Sequence, residues 1–178
     1  TDAKAFVVTV RGTVTRLAFD ISGWSGGSAS QFAKAVLVAY NYGTISKCSV
    51  IGGIMTAMNI YAGGLVASNQ SIGTIKDCFT TCKVTVKYPD SSYIGGLVGI
   101  NDGTIINCYA KGDVSGAGNN NIGGLVGSNS LHGKISNCYA TGGVSGADYV
   151  GGLVGETNAT EDAHDEKITN CHATGAVS

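Results

Sequence analysis

The stretch YIGGLVGINDGTIINCYAKGDVSG, residues 93–116, recurs along the chain in four further copies with small changes. One cysteine in each copy sets the phase, and successive cysteines lie 30, 30, 30 and 33 residues apart. These residues are Cys48, Cys78, Cys108, Cys138 and Cys171. A sixth, degenerate copy precedes them and has Leu17 at the cysteine position. A period of this size predicts a solenoid or another stacked array.

The residues that follow each cysteine alternate between small or apolar and polar types. The apolar rows lie two, four and six residues after the cysteine. They are Val50, Thr80, Ala110, Ala140 and Ala173; Gly52, Cys82, Gly112, Gly142 and Gly175; and Ile54, Val84, Val114, Val144 and Val177. Lys111 and Asp113 are examples of the residues between them. Period two predicts a strand with one buried face, on which Thr80 is a mild exception.

Two further features of the repeat predict where the chain turns. Each cysteine follows an isoleucine and two intervening positions that include polar residues such as Ser46 and Lys47. These break the alternation, so we expect a corner there. The GGLVG segment predicts another short strand, but Leu97 and Val98 are neighbours and cannot both face inward along a regular strand. Its inward face is therefore left open.

The repeat predicts an all-β, right-handed parallel β-helix with one repeat of 28–33 residues per turn. Each turn is expected to contain three short strands, and handedness follows the usual preference of parallel crossovers. Six turns at ~4.8 Å per strand give a rod roughly 29 Å long. Residues 1–178 form one predicted domain, with a degenerate turn at 6–32 and regular turns at 33–178. Because both ends break the repeating phrase, we expect a fragment of a larger protein.

Composition argues against two classes of partner. Lys plus Arg number 11 against 12 Asp plus Glu, so the chain has no basic field for nucleic acid. Charged residues make up 13% of the chain, and no run of ~18 apolar residues predicts a membrane span. We therefore expect no nucleic acid partner and no membrane insertion by this segment.

Cysteines and acidic residues are the candidate metal ligands. The repeated cysteines form one inward row, which favours buried free thiols, with a disulfide or a metal site as the alternatives. The acidic loop 156–167, with Glu161, Asp162, Asp165 and Glu166, could bind calcium or could be a solvated insertion. The sequence contains no HExxH motif, and it predicts no catalytic residue and no cofactor.

One outward row contains aromatic residues directly after the cysteine: Phe79, Tyr109, Tyr139 and His172. Aromatic rings on a flat sheet can bind sugar rings or a partner protein. This row is the candidate contact face for a host glycan or matrix protein. The alternative is that the stacked side chains stabilise the sheet.

The phrase Gly96-Leu97-Val98-Gly99, repeated at 124–127 and 152–155, strongly resembles the GLUG motif repeat. Gly64-Leu65-Val66-Ala67 departs from it at the last residue. The resemblance implies a bacterial, extracellular surface or secreted protein. Such repeats occur in adhesin-like proteins and in the non-catalytic region of immunoglobulin-A-cleaving metallopeptidases, so the resemblance supplies no catalytic residues.

These observations predict a non-catalytic repeat module that acts in adhesion or as a rigid spacer. The stalk of an immunoglobulin-cleaving metallopeptidase and a β-helix enzyme acting on polysaccharide are the alternatives. Open coil ends expose unpaired strand edges, so flanking repeats of the same chain are expected as further partners.

Overall fold

The computed structural model describes residues 6–26, 33–57, 61–87, 92–118, 121–158 and 167–178, and all regular elements in these ranges are short strands. The first turn contains β1 (Val7–Val10), β2 (Thr13–Thr15), β3 (Ala18–Asp20) and β4 (Ser25–Gly26). The second contains β5 (Ala33–Ala35), β6 (Val38–Asn41), β7 (Thr44–Ser46), β8 (Ser49–Ile51) and β9 (Ile54–Ala57). The third contains β10 (Tyr61–Gly63), β11 (Val66–Asn69), β12 (Thr74–Lys76), β13 (Phe79–Thr80) and β14 (Lys83–Val86).

The remaining three turns follow the same order. The fourth contains β15 (Tyr93–Gly95), β16 (Val98–Asn101), β17 (Thr104–Ile106), β18 (Tyr109–Ala110) and β19 (Val114–Gly116). The fifth contains β20 (Asn121–Gly123), β21 (Val126–Asn129), β22 (Lys134–Ser136), β23 (Tyr139–Ala140) and β24 (Val144–Ser145). The sixth contains β25 (Val150–Gly151), β26 (Val154–Thr157), β27 (Ile168–Thr169) and β28 (His172–Ala173).

Equivalent strands of successive turns pair in parallel and form five sheets. We number them in chain order within a turn: sheet 1 is β5-β10-β15-β20-β25, sheet 2 is β1-β6-β11-β16-β21-β26, sheet 3 is β2-β7-β12-β17-β22-β27, sheet 4 is β3-β8-β13-β18-β23-β28 and sheet 5 is β4-β9-β14-β19-β24. The register joins equivalent residues, as when Ile75 pairs with Ile45 and Ile105. The chain is therefore a parallel β-solenoid, as predicted; its right-handedness and its assignment to one domain stay predictions.

The prediction of three strands per turn is wrong, because complete turns have five. The GGLVG segment contributes to sheets 1 and 2, with a bend at its centre. The run after each cysteine also divides, because the glycine four residues on, for example Gly112, lies between the strands of sheets 4 and 5. A methyl group at Gly112 would lie 1.9 Å from the carbonyl oxygen of Cys82 in the turn before. The backbones approach too closely there for a side chain.

The GGLVG segment buries both of its large side chains because the chain bends at Gly96 and Leu97, between the strand of sheet 1 and the strand of sheet 2. Leu97 and Val98 are each fully buried, which resolves the inward face that the sequence left open. Their two N–H groups donate to the same carbonyl, that of Leu125 in the next turn, at 2.9 and 3.1 Å. In the fifth turn the last glycine of the motif permits close approach, because a methyl group at Gly127 would lie 2.4 Å from the backbone nitrogen of Ile94.

Opposite walls of the coil touch, and this contact explains the small residues of the core. A methyl group at Gly96 would lie 2.9 Å from the Cβ atom of Ala110, and one at Gly124 would lie 2.9 Å from that of Ala140. Larger residues, such as the fully buried Ile105 and Leu97, occupy the wider parts of the cross-section of the coil. The predicted inward rows are confirmed in the inner turns, including Thr80, whose hydroxyl donates to the Gly96 carbonyl at 2.7 Å.

The inward prediction is wrong for Ile54. This residue is 40% exposed, whereas its neighbour Met55 is fully buried and pairs with Val84. Gly52 and Gly53 both have positive φ, +65° and +67°, and this left-handed pair accommodates one extra residue that shifts the strand phase. Ala173 and Val177 are also exposed, because no described strand covers the sixth turn.

The predicted corner before each cysteine is confirmed, and it has one backbone conformation in all six turns. The residue that precedes the cysteine position has a φ between 51° and 58°. These residues are Arg16, Lys47, Asp77, Asn107, Asn137 and Asn170. Asn and Asp tolerate the left-handed region better than other residues with a side chain. Lys47 and Arg16 therefore carry more strain than their counterparts.

We expect Lys47→Asn to raise the free energy of unfolding by up to about 1 kcal/mol, since a left-handed conformation costs most residues roughly 1–2 kcal/mol. Equilibrium denaturation in urea measures the change. Lys76→Asn is the matched control, because Lys76 is also exposed but lies in strand β12, where asparagine brings no gain. Equal effects of the two substitutions would contradict the explanation.

A ladder of buried asparagine side chains, which the sequence analysis did not identify, runs along sheet 2. Asn41, Asn69, Asn101 and Asn129 are fully buried. The Nδ2 atom of each of the first three donates to the Oδ1 atom of the next, at 2.7, 2.8 and 2.8 Å. Asn101 Nδ2 also donates to the Gly103 carbonyl at 3.1 Å, which ties the ladder to the following corner.

Asn101→Ala should lower the free energy of unfolding by roughly 2–6 kcal/mol, because it removes one hydrogen-bond partner each from Asn69 and Asn129 and each lost partner costs about 1–3 kcal/mol. Urea denaturation with circular dichroism detection measures this loss. A loss below about 0.5 kcal/mol, the size of an ordinary surface effect, would show that the ladder contributes little.

Asn101→Asp tests the same contact through pH. Burial raises the pKa of a carboxyl group above its unfolded value of about 3.9, so the folded state favours the protonated acid. The variant should therefore be closest to the parent in stability below that pH, and the deficit should grow as the pH rises. Asn137→Asp is the control, since this exposed corner position is occupied by Asp77 two turns earlier. A pH-independent deficit at Asn101 would contradict the prediction.

Candidate functional site

The four residues of the predicted contact face lie together in sheet 4. Each is the first residue of its strand, and the parallel register places Phe79 beside Tyr109, Tyr109 beside Tyr139, and Tyr139 beside His172. Ring centroids are 4.8, 4.8 and 5.3 Å apart, with interplanar angles of 7°, 7° and 8°. The row is therefore a continuous stack, to which we refer as the aromatic row.

Stacking determines which parts of these rings a ligand could reach. Tyr109 and Tyr139 each have a ring neighbour on both faces, and both side chains are half-buried. They present ring edges and hydroxyl groups outward rather than open faces. The geometry provides the stabilising contacts of the alternative interpretation. The ligand-contact role of the row stays a prediction.

Charged side chains flank the aromatic row on the same outer surface. Lys111 Nζ lies 5.0 Å from the centroid of the Tyr109 ring, within the range of a cation–π contact. Lys83 Nζ lies 3.8 Å from Asp113 Oδ2, and both side chains are largely exposed. Exposed pairs of this kind contribute little stability. The surface therefore combines apolar edges, hydroxyl groups and charges of both signs.

A second aromatic contact, which the sequence analysis did not single out, lies in sheet 1. The rings of Tyr61 and Tyr93 stack with centroids 5.7 Å apart and an interplanar angle of 28°. Each tyrosine is followed by one apolar residue, Ala62 or Ile94, and then by the two glycines of its repeat. Alignment on those glycines would have revealed the pair.

The cysteines form an inward ladder of free thiols, as predicted. All six are unbridged, and the repeated ones are fully buried except Cys171, which is half-buried. Cys78 Sγ accepts a hydrogen bond from the Cys48 N–H at 3.4 Å and donates to the Lys76 carbonyl at 3.1 Å. The other turns repeat these bonds. The thiol therefore provides hydrogen bonds for the backbone at the corner.

Burial makes the thiols of Cys82 and Cys108 poor nucleophiles. It raises the pKa of Cys82 to about 12 and holds the pKa of Cys108 well above its usual range. Since the thiolate is the reactive and metal-binding form, these residues have the properties of packing groups.

No group of three or more potential metal ligands occurs among the described residues. The acidic residues Glu161, Asp162, Asp165 and Glu166, and His164 among them, lie outside the described residues. His132 contacts the carboxylate of Asp102 at 3.2 Å on the exposed surface. Within the described ranges, no helix is long and apolar enough to span a membrane.

The first turn contains an apolar cavity of about 440 Å³. Its lining includes Phe6, Phe19 and Trp24, together with the carboxylate of Asp20. Hydrogen bonds from the Ser22 hydroxyl and N–H hold the pKa of Asp20 below its usual range. The cavity thus places an ionised carboxylate beside aromatic rings.

Five parallel sheets, uniform corners and inward ladders define a β-solenoid repeat protein. Three consecutive segments, residues 90–115, 118–145 and 146–178, match the sequence profile of the GLUG motif. These three segments are GLUG motif repeats, as the sequence predicted.

Two solved structures share the fold. One is a candidate immunoglobulin A1 protease from Bacteroides ovatus, with a TM-score of 0.63 and 19% identity over 100% of this chain. Another, described as IgA1 protease, has a TM-score of 0.57 and 18% identity over 99% of this chain. The chain spans 64% of the first structure and 16% of the second. At this identity the likeness concerns the fold. No curated protein matches the chain.

Proposed function

We propose that this chain is a rigid, non-catalytic spacer of a larger extracellular bacterial protein. The observation that carries the proposal is the uninterrupted register of the sheets through the turns. Three sheets contain six strands and two contain five, and every pairing is parallel between equivalent strands. A bend of the coil would have to lengthen these backbone hydrogen bonds on one side.

Side-chain contacts add to this stiffness on the inside and the outside. The asparagine ladder joins four successive turns, and the cysteine N–H···S bonds join five. The aromatic row spans four turns on the outer surface. Since opposite walls also touch, the coil has little freedom to flatten.

The location of such a spacer is inferred from the family and from the names of the structural neighbours. Both neighbours are described as immunoglobulin A1 proteases, one of them as a candidate, which supports the stalk of a related protease as one setting for this module. A secreted or surface location accompanies that setting. No observation on the described residues favours the alternative of a polysaccharide-acting enzyme.

Pulsed electron paramagnetic resonance tests the spacer directly. Spin labels at Thr15→Cys and Thr169→Cys, in a Cys171→Ser background, occupy the same row of sheet 3 in the first and sixth turns. We expect one narrow distance distribution for backbones about 24 Å apart, five spacings of ~4.8 Å. The denatured protein provides the broad reference. A broad or two-peaked distribution in the native protein would refute a rigid spacer.

The aromatic row favours adhesion as a second candidate function. It combines outward ring edges and tyrosine hydroxyls with the Lys111 ammonium group, a surface that could contact the hydroxyls of a glycan or a matrix protein. Adhesion is compatible with a spacer role, because the row lies outside the core that makes the coil stiff.

A triple variant, Phe79→Ser with Tyr109→Ser and Tyr139→Ser, tests this candidate against a panel of host glycans and matrix proteins. We expect saturable binding by the parent and its loss in the variant. The double variant Tyr61→Ser with Tyr93→Ser removes the other aromatic stack and should still bind. Absence of binding by the folded parent, or equal loss in both variants, would rule out the aromatic row as the adhesive face.

A further inference from the structure

The first three turns and the last three turns of the coil carry opposite net charge. Residues 6–87, which include turns one to three, contain seven lysine and arginine residues and two aspartates. Residues 88–178 contain three lysines and nine acidic residues. The net charge of −1 for the whole chain therefore combines a positive half with a negative half. Charges closer than about 8 Å are only partly screened at physiological salt, so clustered cations of the positive half can attract an anionic partner.

Four exposed cations of the positive half lie on one surface, which is formed by sheet 3 and its two corners. Lys76 ends the sheet 3 strand of turn three, and Arg16 and Lys47 occupy the following corner in turns one and two. Arg11 lies at the preceding corner, where its guanidinium group is 5.4 Å from the centroid of the Tyr42 ring. We refer to these four cations, with the outward side chains of sheet 3 between them, as the basic face.

Backbone pairing places three of these cations next to one another. The Arg16 N–H donates to the Ser46 carbonyl at 3.1 Å, and the Lys47 N–H donates to the Lys76 carbonyl at 3.1 Å. Lys76 also pairs with Ser46 in sheet 3. The three charged side chains therefore start from adjacent positions of successive turns, and like charges at adjacent positions of a sheet repel one another.

The two acidic residues of the positive half do not pair with these cations. Asp20 lies in sheet 4, where its carboxylate accepts from the Ser22 N–H at 2.9 Å. Asp77 occupies the corner after Lys76, and its carboxylate accepts from Asn107 Nδ2 at 3.1 Å. The ion pairs among the described residues are Lys83 with Asp113 and His132 with Asp102, neither of which involves the basic face.

The corner positions of Arg16 and Lys47 carry a cost that asparagine would avoid. Both residues have a left-handed φ, 58° and 54°, and the same corner is occupied by asparagine in turns four to six. A cation at this position adds repulsion from its charged neighbour. Residues held in unfavourable conformations cluster at functional sites, where function rather than stability accounts for them. The pair therefore indicates a role for these charges outside the fold.

Hydroxyl groups occupy much of the sheet between the cations. In the second outward row, Ser46 Oγ donates to Thr15 Oγ1 at 3.2 Å. None of the outward residues of sheet 3 in turns one to four is aromatic, so the basic face has no platform for the bases of a nucleic acid. The first outward row contains threonine in four successive turns, at ~4.8 Å per turn: Thr13, Thr44, Thr74 and Thr104.

We propose that the basic face binds an acidic polysaccharide. Carboxylate or sulfate groups of the ligand would accept charge-assisted hydrogen bonds from Arg16, Lys47 and Lys76. Sugar hydroxyls would contact the threonine row beside them. Because the cations and the threonines both follow the coil axis, the polysaccharide chain would lie along that axis. The inference concerns a different sheet from the aromatic row, and it is independent of the spacer and adhesion proposals.

Isothermal titration calorimetry with a heparin octasaccharide, which is densely sulfated, tests the proposal. We expect saturable binding that weakens as the salt concentration rises. The double variant Arg16→Asn with Lys47→Asn should weaken binding at least about fivefold, because it removes two charge contacts. Asparagine is the residue of this corner in turns four to six, so the variant keeps the fold and isolates the effect on binding.

The matched control is Lys87→Asn with Lys111→Asn, which removes the same charge from two exposed positions outside the basic face. It should bind within about twofold of the parent, because screening limits the effect of distant charges. Equal or greater weakening by the control would overturn the proposal, and so would absence of binding by the folded parent. Equal affinity for a single-stranded DNA oligonucleotide of the same charge would also overturn it, since the face would then respond to charge alone.

Discussion

Contact between the opposite walls of the coil is the constraint on which the rest of the structure depends. Where Gly96 faces Ala110, the section is too narrow for one additional methyl group without movement of the backbone. A well-packed core tolerates such an addition poorly. The repeat therefore has glycine on one wall and alanine on the other, and it places its larger residues where the corners widen the section. In the inner turns these side chains fill the interior, so recognition along those turns would involve the outer surface.

The corners impose a second requirement, which concerns hydrogen bonds rather than volume. A sheet strand pairs its peptide groups with the turns above and below, but a corner turns some of them away from these partners. Cysteine and asparagine satisfy such groups from inside: Cys108 Sγ accepts from the Cys78 N–H, and Asn129 Nδ2 donates to the Gly133 carbonyl. A buried polar group without a partner costs about 1–3 kcal/mol. Polar residues therefore repeat within a core that is otherwise apolar.

The sequence predicted correctly those parts of the fold that lie a constant number of residues from the cysteine of each repeat. The alternation after Cys78 or Cys108 predicted the inward rows correctly, whereas the extra residue beside Gly52 moved Met55 into the row assigned to Ile54. The asparagine ladder was missed because its residues stand seven or nine positions before the cysteine; counted from the preceding leucine, as from Leu97 to Asn101, the distance is four in each case. For the candidate contact face, the repeat correctly predicted that Phe79, Tyr109 and Tyr139 lie beside one another in successive turns. Their ring orientation did not, because it depends on side-chain torsions that the pattern does not determine.

Inner and outer rows differ in how strictly they keep one residue type, and this difference bears on function. The outward row three residues after the cysteine holds three residue types, with Ile51, Lys111 and threonine in the other three turns, while the isoleucine that precedes the cysteine by three residues is kept in each of these turns. The aromatic row is an outer row that keeps its type over three turns, and its rings gain contacts from one another. Substitution of a ring that is stacked on both faces removes more contacts than substitution of an isolated surface ring. Mutual packing alone therefore accounts for the regularity of this row. Recognition at this surface would then depend on what varies around the stack, namely the hydroxyls, Lys111 and the Lys83–Asp113 pair, and the stack would hold these groups at the spacing of the turns.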